Sequence, residues 1–349
     1  FQERDEPATQ EMVDYLGQLL LDLPDRDPDI NSLVHVDEGG QVNGFIGVFT
    51  QLMELDGRVL RAAMGNSFAV DPKAHDPLIG ARLLRAYFRG PQDITISDRC
   101  NSISVGMWRG MGGRSLPTYS MEWHRTLRPV SAATARLRNR LKLRRATASV
   151  TSVLDRVVQR YARRRGKVQW EMPALPLRPP GLSRRDATDA DLLAAIPALV
   201  AEARLHPVWS QAGLQTLLQH SARKSEFGET VRQVIHDRSG RLVGAYVYYV
   251  EAHGFAQVLH VLSAKGMAEP VLDILLADAA ERGAVAIGGR AQENLLEPLM
   301  DRHAVLSGEY RCVFGSSDPA VLDAVSHGDA VVGGMVGELW TRLNGDGLN

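Results

Sequence analysis

The chain has 349 residues, 44% of them hydrophobic, enough for two ordinary domains with a core each. Its net charge of -1 gives no global field that would select nucleic acid or an acidic surface. The two cysteines, Cys100 and Cys312, are too far apart in sequence to suggest a disulfide framework, no run of about 18 apolar residues suggests a membrane span, and no signal peptide is visible, so a cytoplasmic protein is expected.

The pattern predicts a helix over 8–21, then strands over 33–37, 42–55 and 58–70, with Asp56-Gly57 as the hairpin turn between the last two. Leu78, Ile79, Leu83, Leu84 and Phe88 recur at helical spacing and predict a helix over 77–89. A short strand over 93–97, a helix over 101–111 and a closing hairpin over 114–125 complete the first half. Between Arg136 and Lys167 stand twelve basic residues against one acid, Asp155, on a helical apolar stripe. The prolines Pro173, Pro176, Pro179 and Pro180 follow as a strap that cannot extend a helix. A second domain is expected from Leu182, with a helix after Asp189, a strand over 256–262 and a helix over 270–281.

The two halves repeat. Asp37-Glu-Gly-Gly-Gln-Val-Asn-Gly44-Phe45 matches Asp237-Arg-Ser-Gly-Arg-Leu-Val-Gly244-Ala245 at an offset of 200 (244 minus 44). Each match leads into a β-rich run, a helix, a short strand and an asparagine that opens another helix, Asn101 or Asn294. The division that follows is a first domain over 1–130, a basic and proline-rich linker over 131–180 and a second domain over 181–349.

The segment that promises chemistry is Ser67-Phe-Ala-Val-Asp-Pro-Lys-Ala-His-Asp-Pro-Leu-Ile-Gly-Ala-Arg-Leu-Leu84, a strand that turns through a short loop into an amphipathic helix. The first turn of a helix has unpaired N–H groups and the positive end of the helix dipole, so a diphosphate fits there without many basic side chains. Gly80 either lets such an anion approach the backbone or permits close helix–strand packing.

Here the sequence resembles the GNAT acetyltransferase superfamily. That motif is a strand ending in Val-x-Pro, then Arg/Gln-x-x-Gly-x-Gly/Ala, then a helix. Val70 and Pro72 match the strand end, His75 stands where the family has Arg or Gln, Leu78 replaces the first glycine and Gly80 matches the second. Downstream, Asn101-Ser-Ile-Ser104-Val-Gly-Met-Trp108-Arg-Gly-Met-Gly112 fits the later pattern. The likeness spans about 30–125 well and 182–345 weakly. It implies an α/β fold of two tandem acyl-coenzyme A N-acyltransferase domains, each a mixed, mostly antiparallel sheet flanked by helices, the second degenerate.

The resemblance also implies acetyl-coenzyme A, or another acyl-coenzyme A, as co-substrate. The backbone of Phe68, Ala69 and Val70 would meet the pantetheine arm, and the amides of Leu78, Ile79, Gly80 and Ala81 would face the diphosphate. His75, Asn101 and Trp108 would border the cofactor. The acceptor would be an amine on a small molecule or sugar precursor. The family's usual residues are missing in two places: Trp108 stands where a tyrosine acid is frequent, and no glutamate base occurs over 61–70, which leaves Asp98 as candidate base. No His-x-x-x-His or Cys-x-x-Cys spacing suggests a metal. Since the family usually has a strand and helix before its first hairpin, and the chain opens at Phe1 rather than a methionine, further chain before Phe1 is expected. Two other readings stay open. Paired domains of this kind occur in Fem-type aminoacyl-tRNA-dependent transferases, where the basic 136–167 stretch would grip tRNA; and the missing acid and base suit a non-catalytic acyl-coenzyme A-binding module.

Overall fold

Asp37 and Asp237 build the same turn. In each, the aspartate N–H donates to the carbonyl four residues on (Gln41 and Arg241, both 3.0 Å), and its carboxylate accepts that residue's N–H in return, at 2.9 and 3.0 Å. The residues between must reverse the chain, and Gly40 and Gly240 do so at φ 78° and 83°, a region open to glycine at little cost.

A computed structural model describes residues 8–134, 179–251, 253–308 and 311–346. The basic 136–167 stretch, on which the tRNA reading rested, lies outside them. In chain order the elements begin with α1 (Gln10–Leu21), β1 (Leu33–Val36), β2 (Val42–Leu55), β3 (Arg58–Val70), α2 (Ile79–Phe88), β4 (Ile94–Cys100) and α3 (Ser102–Gly110). Then come β5 (Arg114–Leu116), α4 (Pro117–Ser120), β6 (Glu122–Thr126), β7 (Leu182–Asp186), α5 (Asp189–Val200), β8 (Leu205–Val208) and α6 (Gln211–Ser221). The last are β9 (Glu229–Asp237), β10 (Leu242–Val250), β11 (Phe255–Ser263), α7 (Ala268–Glu281), β12 (Ala286–Arg290), α8 (Leu296–Asp301), β13 (Val305–Ser307), β14 (Arg311–Ser316) and α9 (Pro319–Ser326).

These elements form two units. Within the described residues the first comprises 8–120, 203–223 and 311–346, and the second 121–134, 179–202 and 224–308. Residues 203–223 and 311–346 therefore pack in the first unit, although sequence order places them after 181.

In the first unit the strands run β1-β2-β3-β4-β14-β5, with β8 added to β2. The β2–β3 hairpin turns at Asp56 and Gly57, φ 50° and 84°, the left-handed pair a tight hairpin needs. Because α2 returns the chain, β3 and β4 pair in parallel. Ile46, Val48, Ile79, Leu83, Leu84, Val105 and Trp108 share one buried cluster between the sheet and the helices α2 and α3.

In the second unit the order is β13-β6-β12-β11-β10-β9-β7, again with one parallel pair, β11 with β12, flanked by antiparallel ones. Gly44 and Gly244 do the same work in both units. A Cβ on Gly44 would stand 2.6 Å from Ile79 Cγ2, and one on Gly244 would stand 2.5 Å from Val271 Cγ2, so each glycine seats a helix on its strand.

The closing hairpin expected over 114–125 does not form. Strand β5 pairs with β14, the short α4 redirects the chain, and β6 pairs with β12 and β13 of the second sheet. The reason is burial: Trp123 of β6 is fully buried in the second unit's core.

Candidate functional site: an open strand edge and a helix N-terminus

Strands β3 and β4 stay in register only from Ala62–Met64 against Ile94–Ile96. Beyond that point β4 follows β14, while β3 runs on to Val70. A bulge accompanies the parting. The register with β2 slips between Phe45 and Gly47, Ser67 adopts φ 50°, and Phe68 falls outside the paired residues. Ala69 and Val70 pair with Phe45 and Gly44 on the β2 side only. The edge of β3 over Phe68–Val70 that once faced β4 is thus an unpaired strip of main chain, ready to meet an extended ligand arm.

The strip leads into a corner held by aspartates. Asp71 N–H donates to Asn43 O at 2.9 Å, Asp71 Oδ1 accepts Lys73 N–H at 2.8 Å, and Asp76 Oδ1 accepts Leu78 N–H at 2.8 Å. Helix α2 then opens at Ile79, with no side-chain cap on its N-terminus. Of the four amides expected to face a diphosphate, that of Leu78 is taken by Asp76. The N–H groups of Ile79, Gly80 and Ala81 have no acceptor among the described residues.

Asp76 complicates the corner. The Leu78 N–H, followed by Arg82 at 2.6 Å, holds its carboxyl below the usual carboxylate range, so it stays ionised beside the positive end of the helix. An internal anion there weakens the pull on an external one. Its sequence signal was legible in principle, since an Asp readily accepts the N–H two residues on, here that of Leu78 just before the helix start.

The other candidate residues fall as follows. Gly80 is buried, and a Cβ there would stand 3.2 Å from both Met107 Cε and Phe68 Cζ, so this glycine serves close packing. His75 is exposed on the loop. Asn101 caps α3, its Oδ1 accepting Ser104 N–H at 2.8 Å. Trp108 is buried and packs edge-on against Phe88 at 4.8 Å and Tyr87 at 5.9 Å, within the core. Asp98 is 3% exposed, and its Oδ1 accepts Glu338 N–H at 3.1 Å.

Glu338 escaped the sequence reading because nothing local ties it to β4. Its Oε1 accepts from Ser97 Oγ at 3.4 Å, at the splayed end of that strand. The segment that carries it is anchored by Tyr15, whose hydroxyl accepts Arg342 N–H at 2.8 Å, and by Trp340, edge-on to Phe49 at 5.6 Å. Burial pushes the nearby Cys100 thiol up to about 12, so it is not a thiolate nucleophile at neutral pH.

The second unit has the same parting strands, but fills the gap. After Val258–Gly289 the strands β11 and β12 separate, and Gln292 turns its amide onto Val261, accepting its N–H at 3.1 Å and donating to its carbonyl at 2.7 Å. Asn294 Nδ2 donates to Ser263 Oγ at 3.2 Å, and Lys265 N–H in the following loop donates to Glu202 Oε2 at 3.3 Å. Among the described residues no cluster of three or more His, Cys, Asp or Glu side chains is placed to hold a metal, and no helix is long and apolar enough to cross a membrane.

Solved structures share the fold. The chain is similar to the GCN5-related N-acetyltransferase from Anabaena variabilis ATCC 29413 (10% identity, TM-score 0.52), covering 89% of this chain and 72% of that one. It is also similar to a conserved protein of unknown function from Enterococcus faecalis V583, described as a probable N-acyltransferase (12% identity, TM-score 0.51, 87% and 69% covered). A GCN5-related N-acetyltransferase from Kribbella flavida aligns at 14% identity and TM-score 0.47, and the chain spans 60% of that protein's length. No protein-family model matches the chain, and no curated protein matches its sequence. Two mixed sheets flanked by helices, each with one parallel pair that parts into a V, give the chain the fold of the GCN5-related N-acetyltransferases.

Proposed function

We propose that the chain is an acyl-coenzyme A-dependent N-acyltransferase in which the first unit holds the acyl donor and the second has lost that role. The observation that carries this reading is the contrast between the two V-shaped gaps: the strip Phe68–Val70 is open beside three unoccupied helix amides, whereas the matching strip at Val261 is plugged by Gln292. The donor fits the first unit on two counts. An extended pantetheine arm pairs with bare strand edge, and a diphosphate accepts from the amides of Ile79, Gly80 and Ala81. When bound, acyl-coenzyme A supplies an activated thioester. The acceptor in this reading is an amine on a small molecule or sugar precursor. Glu338, at the splayed end of β4, takes the proton from its ammonium group, directly or through a water. We assign the base to Glu338 rather than Asp98 because Asp98 is 3% exposed and holds the Glu338 main chain.

Calorimetric titration of the full chain with acetyl-coenzyme A tests the reading, together with thiol release over a panel of amines. One molecule bound per chain is expected, and no heat at millimolar ligand ends the proposal. Ala81→Glu sharpens the test. A glutamate at the third helical position favours the helix, yet faces the diphosphate with like charge. Stability should hold while affinity falls about tenfold or more, a change of about 1.4 kcal/mol. Glu338→Gln should leave binding intact and lower the turnover rate.

A further inference from the structure

Among the described residues, four other than glycine adopt a left-handed φ. Asp56, His253 and His303 lie in turns, but Ser67, at φ 50°, lies inside strand β3. Glycine enters that region at little cost and serine does not, so the bulge alone gives no reason for a side chain here. The hydroxyl is held: Ser67 Oγ donates to Asn66 Oδ1. Asn66 is 2% exposed, and its Nδ2 has no hydrogen-bond partner. A buried amide left half satisfied weakens the fold, as does a strained serine. The two side by side at the parting of β3 from β4 point to function rather than stability.

The place of the pair defines its task. With the diphosphate at Ile79–Ala81 and the pantetheine arm along Val70–Phe68, the thioester end of the donor reaches Ser67. Ser67 is half-buried there on the β3 arm of the gap, and Glu338 enters from the β4 arm, its Oε1 accepting from Ser97 Oγ at 3.4 Å. Because the Ser67 proton is given to Asn66, the hydroxyl offers a ligand lone pairs only. Given the donor site of the first unit, on which this inference rests, we propose that Ser67 Oγ is a catalytic acceptor for one N–H of the attacking nitrogen, that Asn66 is its positioning residue, and that the site selects primary amines. The protons balance on that choice. Of the three on a primary ammonium group, one leaves through Glu338 to solvent and frees the nitrogen lone pair to bond to the thioester carbon. A second leaves nitrogen as the C–S bond breaks and ends on the departing thiolate. The third stays as the amide N–H, and Ser67 holds it from attack to product. A secondary ammonium group loses both of its protons along this path and leaves Ser67 nothing to accept.

The full chain, saturated with coenzyme A, is titrated by calorimetry with N-phenethylacetamide and with its N-methyl derivative, which lacks the N–H. The first should bind about five- to tenfold tighter. Ser67→Gly removes the hydroxyl and relieves the left-handed backbone, and Ser67→Ala removes the hydroxyl alone. Each should erase that difference and leave acetyl-coenzyme A titration unchanged. In thiol release from acetyl-coenzyme A, phenethylamine should exceed N-methylphenethylamine, and both variants should narrow the ratio. Asn66→Leu, which leaves the hydroxyl unheld, should narrow it in part. Equal binding of the two amides, a difference that persists in both Ser67 variants, or no binding of N-phenethylacetamide would each overturn the proposal while leaving the donor site in place. A wild-type chain that binds no acetyl-coenzyme A would remove the donor reading, and the proposal with it.

Discussion

Gln292 holds Val261 by both ends of its side-chain amide, at 3.1 Å and 2.7 Å, and so stands in for a missing strand partner. Val261 lies two residues before Ser263, the partner of Gly244, just as Phe68 lies two before Val70, the partner of Gly44. No side chain among the described residues grips the Phe68 main chain in that way. Gln292→Ala should therefore unpair a main-chain donor and acceptor and cost about 1–3 kcal/mol. Native-state hydrogen exchange at the Val261 amide reads it directly: protection should drop in the variant, and unchanged protection would mean that the bond contributes nothing.

The paired glycines differ in tolerance from Gly80. A methyl at Gly44 meets Ile79 Cγ2 at 2.6 Å and Leu83 Cδ1 at 2.9 Å, too close for the helix to stay in place, whereas at Gly80 the nearest atoms stand at 3.2 Å and one is the free end of Met107. Gly44→Ala should destabilise the first unit by about 1–3 kcal/mol and Gly80→Ala by less than about 1 kcal/mol. Urea denaturation of the two variants gives the comparison; equal losses would contradict the geometry.

Much of this was legible because it is local. The Asp-to-Gly turns at 37–40 and 237–240 are fixed by residues a few positions apart, and so were the corner at Ile79 and the helix cap at Asn101. What escaped depends on distant partners. The neighbour of β4 is β14, whose Val313 pairs with Ser97, and no periodicity in 94–100 names that partner. Glu338 reaches β4 through the Asp98 carboxylate that accepts its N–H and through Tyr15 and Phe49, which anchor the segment around it. Trp108 stands at the aromatic position of the motif, and its edge-on packing against Phe88 and Tyr87 in the core is a tertiary contact that the motif does not specify.

In the proposed donor site, Asp76 should set the strength of anion binding. Asp76→Asn keeps the turn onto Leu78, since an amide oxygen also accepts, but removes a negative charge next to the helix N-terminus. Affinity for coenzyme A should rise about two- to fivefold. The Leu78 N–H and Arg82 keep the Asp76 pKa low, so the wild-type carboxylate is ionised throughout and the gain should be the same at pH 6 as at pH 8. A loss of affinity in the variant would show that the carboxylate helps to organise the site instead.

His260 should make the second unit acid-sensitive. Burial in β11 drives its pKa from 6.5 to about 4, so the folded imidazole is neutral where the unfolded one is already charged. Between those values the unfolded chain binds the extra proton, and stability falls as pH drops from about 6.5 toward 4, by at most about 1.4 kcal/mol per pH unit. Above pH 6.5 the group has no effect. His260→Leu should flatten this part of the stability profile in urea titrations; a profile parallel to wild type would rule the imidazole out as its source.

Hydrogen exchange with and without saturating coenzyme A reaches the central claim most directly. Exchange should slow at the amides of Phe68–Val70 and Ile79–Ala81 and stay the same at Val261 and across 264–268. Slowing confined to the second unit, or none at Ile79, Gly80 and Ala81, would contradict the assignment of the donor to the open gap of the first.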